Sequence, residues 1–210
     1  MENIAILGFG ISGYSAYQAL KDKYNIYVQD DNIEEIKSKN PDLKIKTIKS
    51  IDQLKDIDPI FVVKSPGIKP ENKYVKACKE NSYDLMSDLE LAYRLFPNRT
   101  IIAITGTNGK TTTTSLVGEI IKNAGKTVHV IGNIGSGILE AFAKGSEEDV
   151  YLIEVSSFQL EDTSTFRPNI GAFLNFSPDH LDWHGSIENY FAAKCKIFGN
   201  MIDSDIFIVN

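Results

Sequence analysis

The run Ile101-Ile-Ala-Ile-Thr-Gly-Thr-Asn-Gly-Lys-Thr-Thr-Thr-Thr114 constrains the fold of this chain more than any other stretch. Ile101, Ile102, Ala103 and Ile104 read as a buried strand. Gly106 and Gly109 bracket a tight loop, and Lys110 and Thr111 open an amphipathic helix that runs to about Ala124. A strand, a glycine-rich loop and a helix N-terminus in this order cradle a triphosphate. Glycine lets the loop N–H groups point inward, and the helix dipole adds partial positive charge. Lys110 offers a point charge to the β- and γ-phosphates, and the Thr111 hydroxyl suits Mg²⁺. The spacing is G-x-x-G-K-T-T rather than the longer G-x-x-x-x-G-K-[ST], because position 104 is Ile104. The competing interpretation is a chance Gly-Lys-Thr turn.

Composition narrows the class. The chain has 210 residues, enough for one or two domains, with 42% hydrophobic and 24% charged residues. A net charge of −6 disfavours nonspecific nucleic-acid binding. A polyanionic nucleotide would therefore need local cations and metal. Cys78 and Cys195 are far apart and follow no metal spacing, which suits a reducing cytoplasm. No apolar run reaches membrane-spanning length, and the N-terminus enters a strand with no signal peptide.

Strand and helix patterns alternate along the chain, which predicts an α/β fold with mostly parallel sheets. Strands are expected at Ile4–Leu7, Ile26–Gln29, Leu43–Thr47, Ile60–Val63, Leu85-Met86, 101–104, Thr127–Ile131, Val150–Val155, Ile170–Asn175 and Ile206–Val209. Helices are expected at Ile11–Lys21, Ile33–Ser38, Asn72–Glu80, 110–124, 138–143 and Ile187–Phe198, with a helical turn at Ile51–Leu54. Ser87-Asp88-Leu89-Glu90 carries a capping-box signature for one more helix. A boundary near Phe96-Pro97 divides the chain into residues 1–97, a Rossmann-like parallel-sheet domain, and 98–210, a P-loop-type α/β domain. The apolar run just before Asn210 predicts that the second unit is cut short.

Further motifs sit where the strands end. Gly8-Phe9-Gly10-Ile11-Ser12-Gly13 is a G-x-G-x-x-G turn, and Asp30-Asp31 follows the next strand. This is the text of a dinucleotide fingerprint, with an acid for a ribose hydroxyl, yet the same turn would hold any diphosphate. Ser65-Pro66-Gly67 lies past another strand end. Glu154 closes a buried strand, where a carboxylate needs either an ion-pair partner or a metal. Asp179 and His180 fall in a polar loop after a further strand, and Lys194 lies on a helix among small and apolar neighbours.

Taken in order, these elements resemble the Mur ligase family of peptidoglycan synthesis. The resemblance rests on Gly106–Thr112, Asn133 in Ile-Gly-Asn-Ile-Gly, Glu154-Val-Ser-Ser-Phe-Gln-Leu-Glu161, Asp179-His-Leu-Asp182 and Ala-Ala-Lys194. The Ser-Ser-Phe-Gln-Leu-Glu run is the most discriminating, and is similar to the branch that joins D-glutamate to UDP-N-acetylmuramoyl-L-alanine. The resemblance implies an ATP- and Mg²⁺-dependent amide-forming enzyme that works through an acyl phosphate. It implies ATP on Gly106, Thr107, Asn108, Gly109, Lys110, Thr111 and Thr112, and substrate on Ile11, Ser12, Asp30, Ser65, Asn133, Ser156, Gln159 and His180. Catalytic roles would fall to Lys110, Glu154, His180 and Lys194. Thr111 and Glu154 would hold one metal, and His180 a second together with Lys194, whose position matches a carbamylated lysine. A cytoplasmic monomer is expected. Family members carry a carboxy-terminal domain of which nothing is present here, so the chain alone is expected not to turn over. The rival readings are another Mur-type amino-acid ligase, an NAD-binding module built on Gly8–Gly13, a plain P-loop ATPase or kinase, and a regulatory binding fragment.

Overall fold

In a computed structural model, which describes residues 1–133 and 137–210, the chain builds two parallel sheets in succession. The first unit runs β1 (Asn3–Leu7), α1 (Ile11–Leu20), β2 (Asn25–Gln29), α2 (Ile33–Lys39), β3 (Lys46–Thr47), α3 (Ile51–Ile57), β4 (Val62–Lys64), α4 (Lys73–Glu80), β5 (Leu85–Met86) and α5 (Asp88–Leu95). The second runs β6 (Thr100–Thr105), α6 (Lys110–Asn123), β7 (Val128–Gly132), α7 (Ile138–Lys144), β8 (Val150–Glu154), α8 (Ser157–Glu161), β9 (Ile170–Phe173), α9 (Leu181–His184), α10 (Ile187–Cys195) and β10 (Ile206–Val209). The α/β alternation expected from the sequence is what the chain forms. Of the Gly/Asn loop after β7, residues 134–136 lie outside the described residues.

Strand order is β3-β2-β1-β4-β5 in one sheet and β10-β9-β6-β8-β7 in the other. Each order reverses at its first strand. β1 pairs in parallel with β2 and β4, and β6 with β8 and β9. A crevice opens at the carboxyl ends of the strands where the order reverses, and open α/β sheets bind ligands there. Both glycine-rich turns leave from these two strands.

The central strands are buried on both faces, as continuous apolar runs in parallel sheets must be. Ile4, Ile6 and Val28 of the first sheet share one apolar core with Ile101, Ala103, Tyr151 and Ile153 of the second. Helices α1, α5 and α7 lie between the sheets. Elements differ from the sequence reading mostly at their ends. The extended stretch at 43–47 pairs only at Lys46–Thr47, the turn at 51–54 continues to Ile57, and the last helix tightens to a 3₁₀ turn at Lys196–Phe198. Two short helices appear where none is expected: α8, in a stretch with no assigned element, and α9, just after the polar loop at Asp179-His180.

The capping-box expectation at Ser87 is half met. The Ser87 hydroxyl accepts from the Glu90 N–H, but the Glu90 carboxylate does not turn back to the helix start. It reaches into the second unit and accepts from the N–H groups of Ser164, Thr165 and Phe166. The Thr165 hydroxyl and Arg94 also donate to it, and the carboxylate has no exposed surface. The complete box occurs instead at Ser156 and Gln159. A second buried tie is the ion pair between Lys64 of β4 and Asp162, 2.9 Å apart.

Candidate active site

The loop after β6 takes the shape its glycines allow. Gly106 and Gly109 have φ of +155° and +79°, values that L side chains rarely adopt. Gly109 caps α6 with no side chain, so the first N–H groups of that helix stay open. The Lys110 ammonium curls back over the loop and donates to the carbonyls of Gly106 and Thr107, at 3.0 and 2.9 Å. Asn175 clamps the loop from β9's end, accepting from the Asn108 N–H and donating to its carbonyl. Thr107 is held by Ser177 and faces the Tyr190 hydroxyl.

At the adjoining strand end, Glu154 is 1% exposed. The Thr111 hydroxyl donates to its Oε2 at 2.8 Å, and the Asn133 amide to its Oε1 at 3.2 Å. Three residues picked from separate motifs thus meet at one point. The Lys194 side chain crosses from α10 to donate to the Gly106 carbonyl at 2.7 Å, and is 2% exposed. Burial, reinforced by the nearby Lys110 charge, lowers its pKa to about 8. His180 sits on the left-handed backbone before α9, beside Asp179 and against the rings of Phe158 and Tyr190. The Lys194 ammonium also lies over Tyr190, at 4.8 Å from its ring centre.

In the first unit, Asp30 accepts from the N–H groups of Phe9 and Asn32, one on each oxygen. Ser65 donates to the Gly8 carbonyl at 3.0 Å. Both brace the glycine turn. Ser12 donates to the buried Asp88 carboxylate at 2.6 Å. Ile11, Ser12, Asn133, Ser156 and Gln159 line one cleft of about 460 Å³ between the two units, with Trp183 in its wall. Ile11 is 84% exposed at its mouth.

Several contributors gave no sequence signal. His184 is buried between Ser157, 3.0 Å from its Nε2, and Glu161, 3.5 Å from its Nδ1, and stacks on Phe158. Burial, then His180 and Lys194, push its pKa down. Tyr190, Asn175 and Asp88 were likewise unannounced as site residues. Their partners are distant in sequence, and spacing is silent about such pairs.

Among the described residues, no three His, Cys, Asp or Glu side chains cluster as a ready metal cage. The pair Thr111–Glu154 fits Mg²⁺ all the same. That ion takes one or two protein oxygens and completes its shell with phosphate and water. No helix among the described residues is long and apolar enough to cross a membrane.

This architecture is that of an α/β protein with two parallel sheets, each leaving its strand-order reversal through a glycine-rich turn, one of them a phosphate-type loop. The family description "Mur ligase middle domain" matches residues 104–210, and the chain belongs to the Mur ligase family. It is 39% identical, over all of its length, to UDP-N-acetylmuramoylalanine–D-glutamate ligase of Thermoanaerobacter sp., covering 47% of that protein. It is 41% identical to the ligase of the same name from Aquifex aeolicus, with 98% of this chain and 46% of that protein covered. The chain thus spans about half the length of the relatives it matches. In fold it is similar to UDP-N-acetylmuramate-alanine ligase of Thermotoga maritima, at a TM-score of 0.52, 22% identity, and coverage of 100% of this chain and 49% of that one. A second likeness is to UDP-N-acetylmuramate:L-alanyl-gamma-D-glutamyl-meso-diaminopimelate ligase of Neisseria meningitides, at a TM-score of 0.57, 16% identity, and coverage of 100% and 71%.

Proposed function

We propose that this chain is the substrate- and nucleotide-binding part of an ATP-dependent ligase that joins D-glutamate to UDP-N-acetylmuramoyl-L-alanine. The observation that carries the reading is the meeting of Lys110, Thr111, Glu154 and Lys194 around one glycine loop, beside a cleft shared by both units. The Ser156–Gln159 box on its wall belongs to the run that resembles the D-glutamate-adding branch.

In this reading the first unit, residues 1–97, holds the uridine diphosphate end, and residues 98–210 hold ATP. A carboxylate oxygen of the L-alanyl group attacks the γ-phosphorus. The bond from that phosphorus to the bridging oxygen breaks, and ADP leaves. The D-glutamate amine then attacks the acyl carbon, phosphate leaves with the C–O electron pair, and the amine gives up a proton. Lys110 and the loop amides neutralise the oxygens of the transferred group. Thr111 and Glu154 would hold Mg²⁺, which when bound supplies further positive charge there.

Lys194 as an ammonium would repel a second metal. With a pKa near 8, a fraction of it is a free amine at neutral pH. That amine can add to CO₂ and release a proton, exchanging a buried cation for an anion. His180 and the carbamate oxygens would then suit a second Mg²⁺. The donor set fits only in that form.

Calorimetric titration of the chain with UDP-N-acetylmuramoyl-L-alanine, and separately with NADH, tests the assignment. Binding of the first and not the second is expected. Binding of NADH alone would replace the reading by a dinucleotide-binding module.

A further inference from the structure

The cleft between the units is lined by a buried carboxylate, Asp88, that no step above uses. Asp88 is 5% exposed and stands in the first turn of α5, where the helix dipole favours negative charge. Burial raises its pKa, while Ser12, Gln159 and the N–H groups of the α5 start favour the charged form. Its Oδ2 accepts the Ser12 hydroxyl hydrogen bond at 2.6 Å. Its Oδ1 has no hydrogen-bond partner among the described residues, and Gln159, from the opposite unit, is the nearby donor that can supply one.

A hydroxyl has one proton and two lone pairs. With its proton committed to Asp88, Ser12 can meet a ligand only as an acceptor. The N–H groups of Ile11, Ser12 and Gly13 are different. They precede the first helical bond, Tyr14 N–H to Gly10 carbonyl, and no side chain among the described residues caps them. The same turn therefore offers amides for phosphate oxygens and a lone pair for something else.

We infer that Asp88 is a positioning residue that makes Ser12 a reader of a neutral N–H or O–H donor on the nucleoside, and leaves the α1 amides to the diphosphate. The inference rests on the proposed uridine-diphosphate site and deepens it.

Titrations followed by NMR with uridine and with UDP, on the wild-type chain and on Ser12→Ala, Asp88→Asn and Asp88→Ala, test it. Ser12→Ala should weaken uridine and UDP by the same factor, about fivefold, since one neutral hydrogen bond is lost from both. Asp88→Ala frees the hydroxyl proton to turn toward phosphate. It should weaken uridine about as much, but UDP less, so the UDP-to-uridine affinity ratio rises about threefold. Asp88→Asn keeps an acceptor for Ser12 and should hold the wild-type ratio. If Asp88→Ala fails to fold, Asp88→Asn decides. Retained affinities support the inference, and loss of both with a native melting temperature overturns it. An unchanged ratio in folded Asp88→Ala, or loss of UDP but not uridine in Ser12→Ala, overturns the inference alone. A wild-type chain that binds neither ligand overturns the proposed site together with it.

Discussion

Gly13 shows how little room the first glycine turn leaves. A Cβ there would stand 2.0 Å from the Gly8 carbonyl oxygen, inside any van der Waals contact. Gly13→Ala should destabilise the chain by about 2 kcal/mol, read as a fall in melting temperature of roughly 4–8 °C. An unchanged midpoint would show that α1 can slide away from β1. Lys110 belongs to the same scale. Its ammonium is held by two loop carbonyls and already points along the loop rim. Lys110→Ala should weaken binding of a magnesium–ATP analogue about tenfold or more, measured by calorimetry, because it removes a charge-assisted contact. The glycine and lysine positions were legible in the sequence because loop geometry dictates their spacing. The neighbours that set their chemistry were not. Nothing in the text of residues 186–195 says that Lys194 will reach Gly106, or that Tyr190 will lie beneath it.

At the scale of elements, α5 is the part whose sequence reading needed correction. Its start carries Ser-x-x-Glu, and local rules assign the glutamate to the helix's own N-terminus. In the fold, Glu90 satisfies three backbone N–H groups of the 164–166 turn instead, which would otherwise be buried without partners. Local spacing cannot show a competing acceptor site more than seventy residues away. Glu90→Gln sets an amide against those donors, and should cost about 3 kcal/mol, or roughly 6–12 °C in melting temperature. Burial works to raise the Glu90 pKa, but the Thr165 hydroxyl, Arg94 and the loop amides together hold it below the ordinary 4.5. A depressed carboxylate stabilises fully above its unfolded value and loses that contribution as pH falls through the folded one. The gap in melting temperature between wild type and Glu90→Gln should therefore narrow on acidification below pH 4.5. A constant gap would mean that the carboxylate charge is not what the turn reads.

For the whole molecule, the alternation of strand and helix patterns was enough to predict two parallel sheets. It was not enough to place them against each other. Their arrangement depends on buried pairs such as Lys64–Asp162, on the Glu90 turn, and on apolar helices α1, α5 and α7 packed between the sheets. Each of these contacts joins residues whose individual patterns look ordinary. The result brings the ends of β1 and β6 to a common side, so that Ser12 and Asn133 line one cleft while Lys110, Thr111 and Glu154 surround the next strand end. On the proposed function, a magnesium–nucleoside triphosphate seats on the loop at 106–112. The most direct measurement is amide chemical-shift mapping of the chain titrated with Mg²⁺ and a non-hydrolysable ATP analogue. Shifts centred on Gly106 to Thr112 and on Glu154, needing about tenfold or more nucleotide in Lys110→Ala, are predicted. Saturable shifts confined to Gly8–Gly13, or none at the 106–112 loop at any nucleotide concentration, would contradict it.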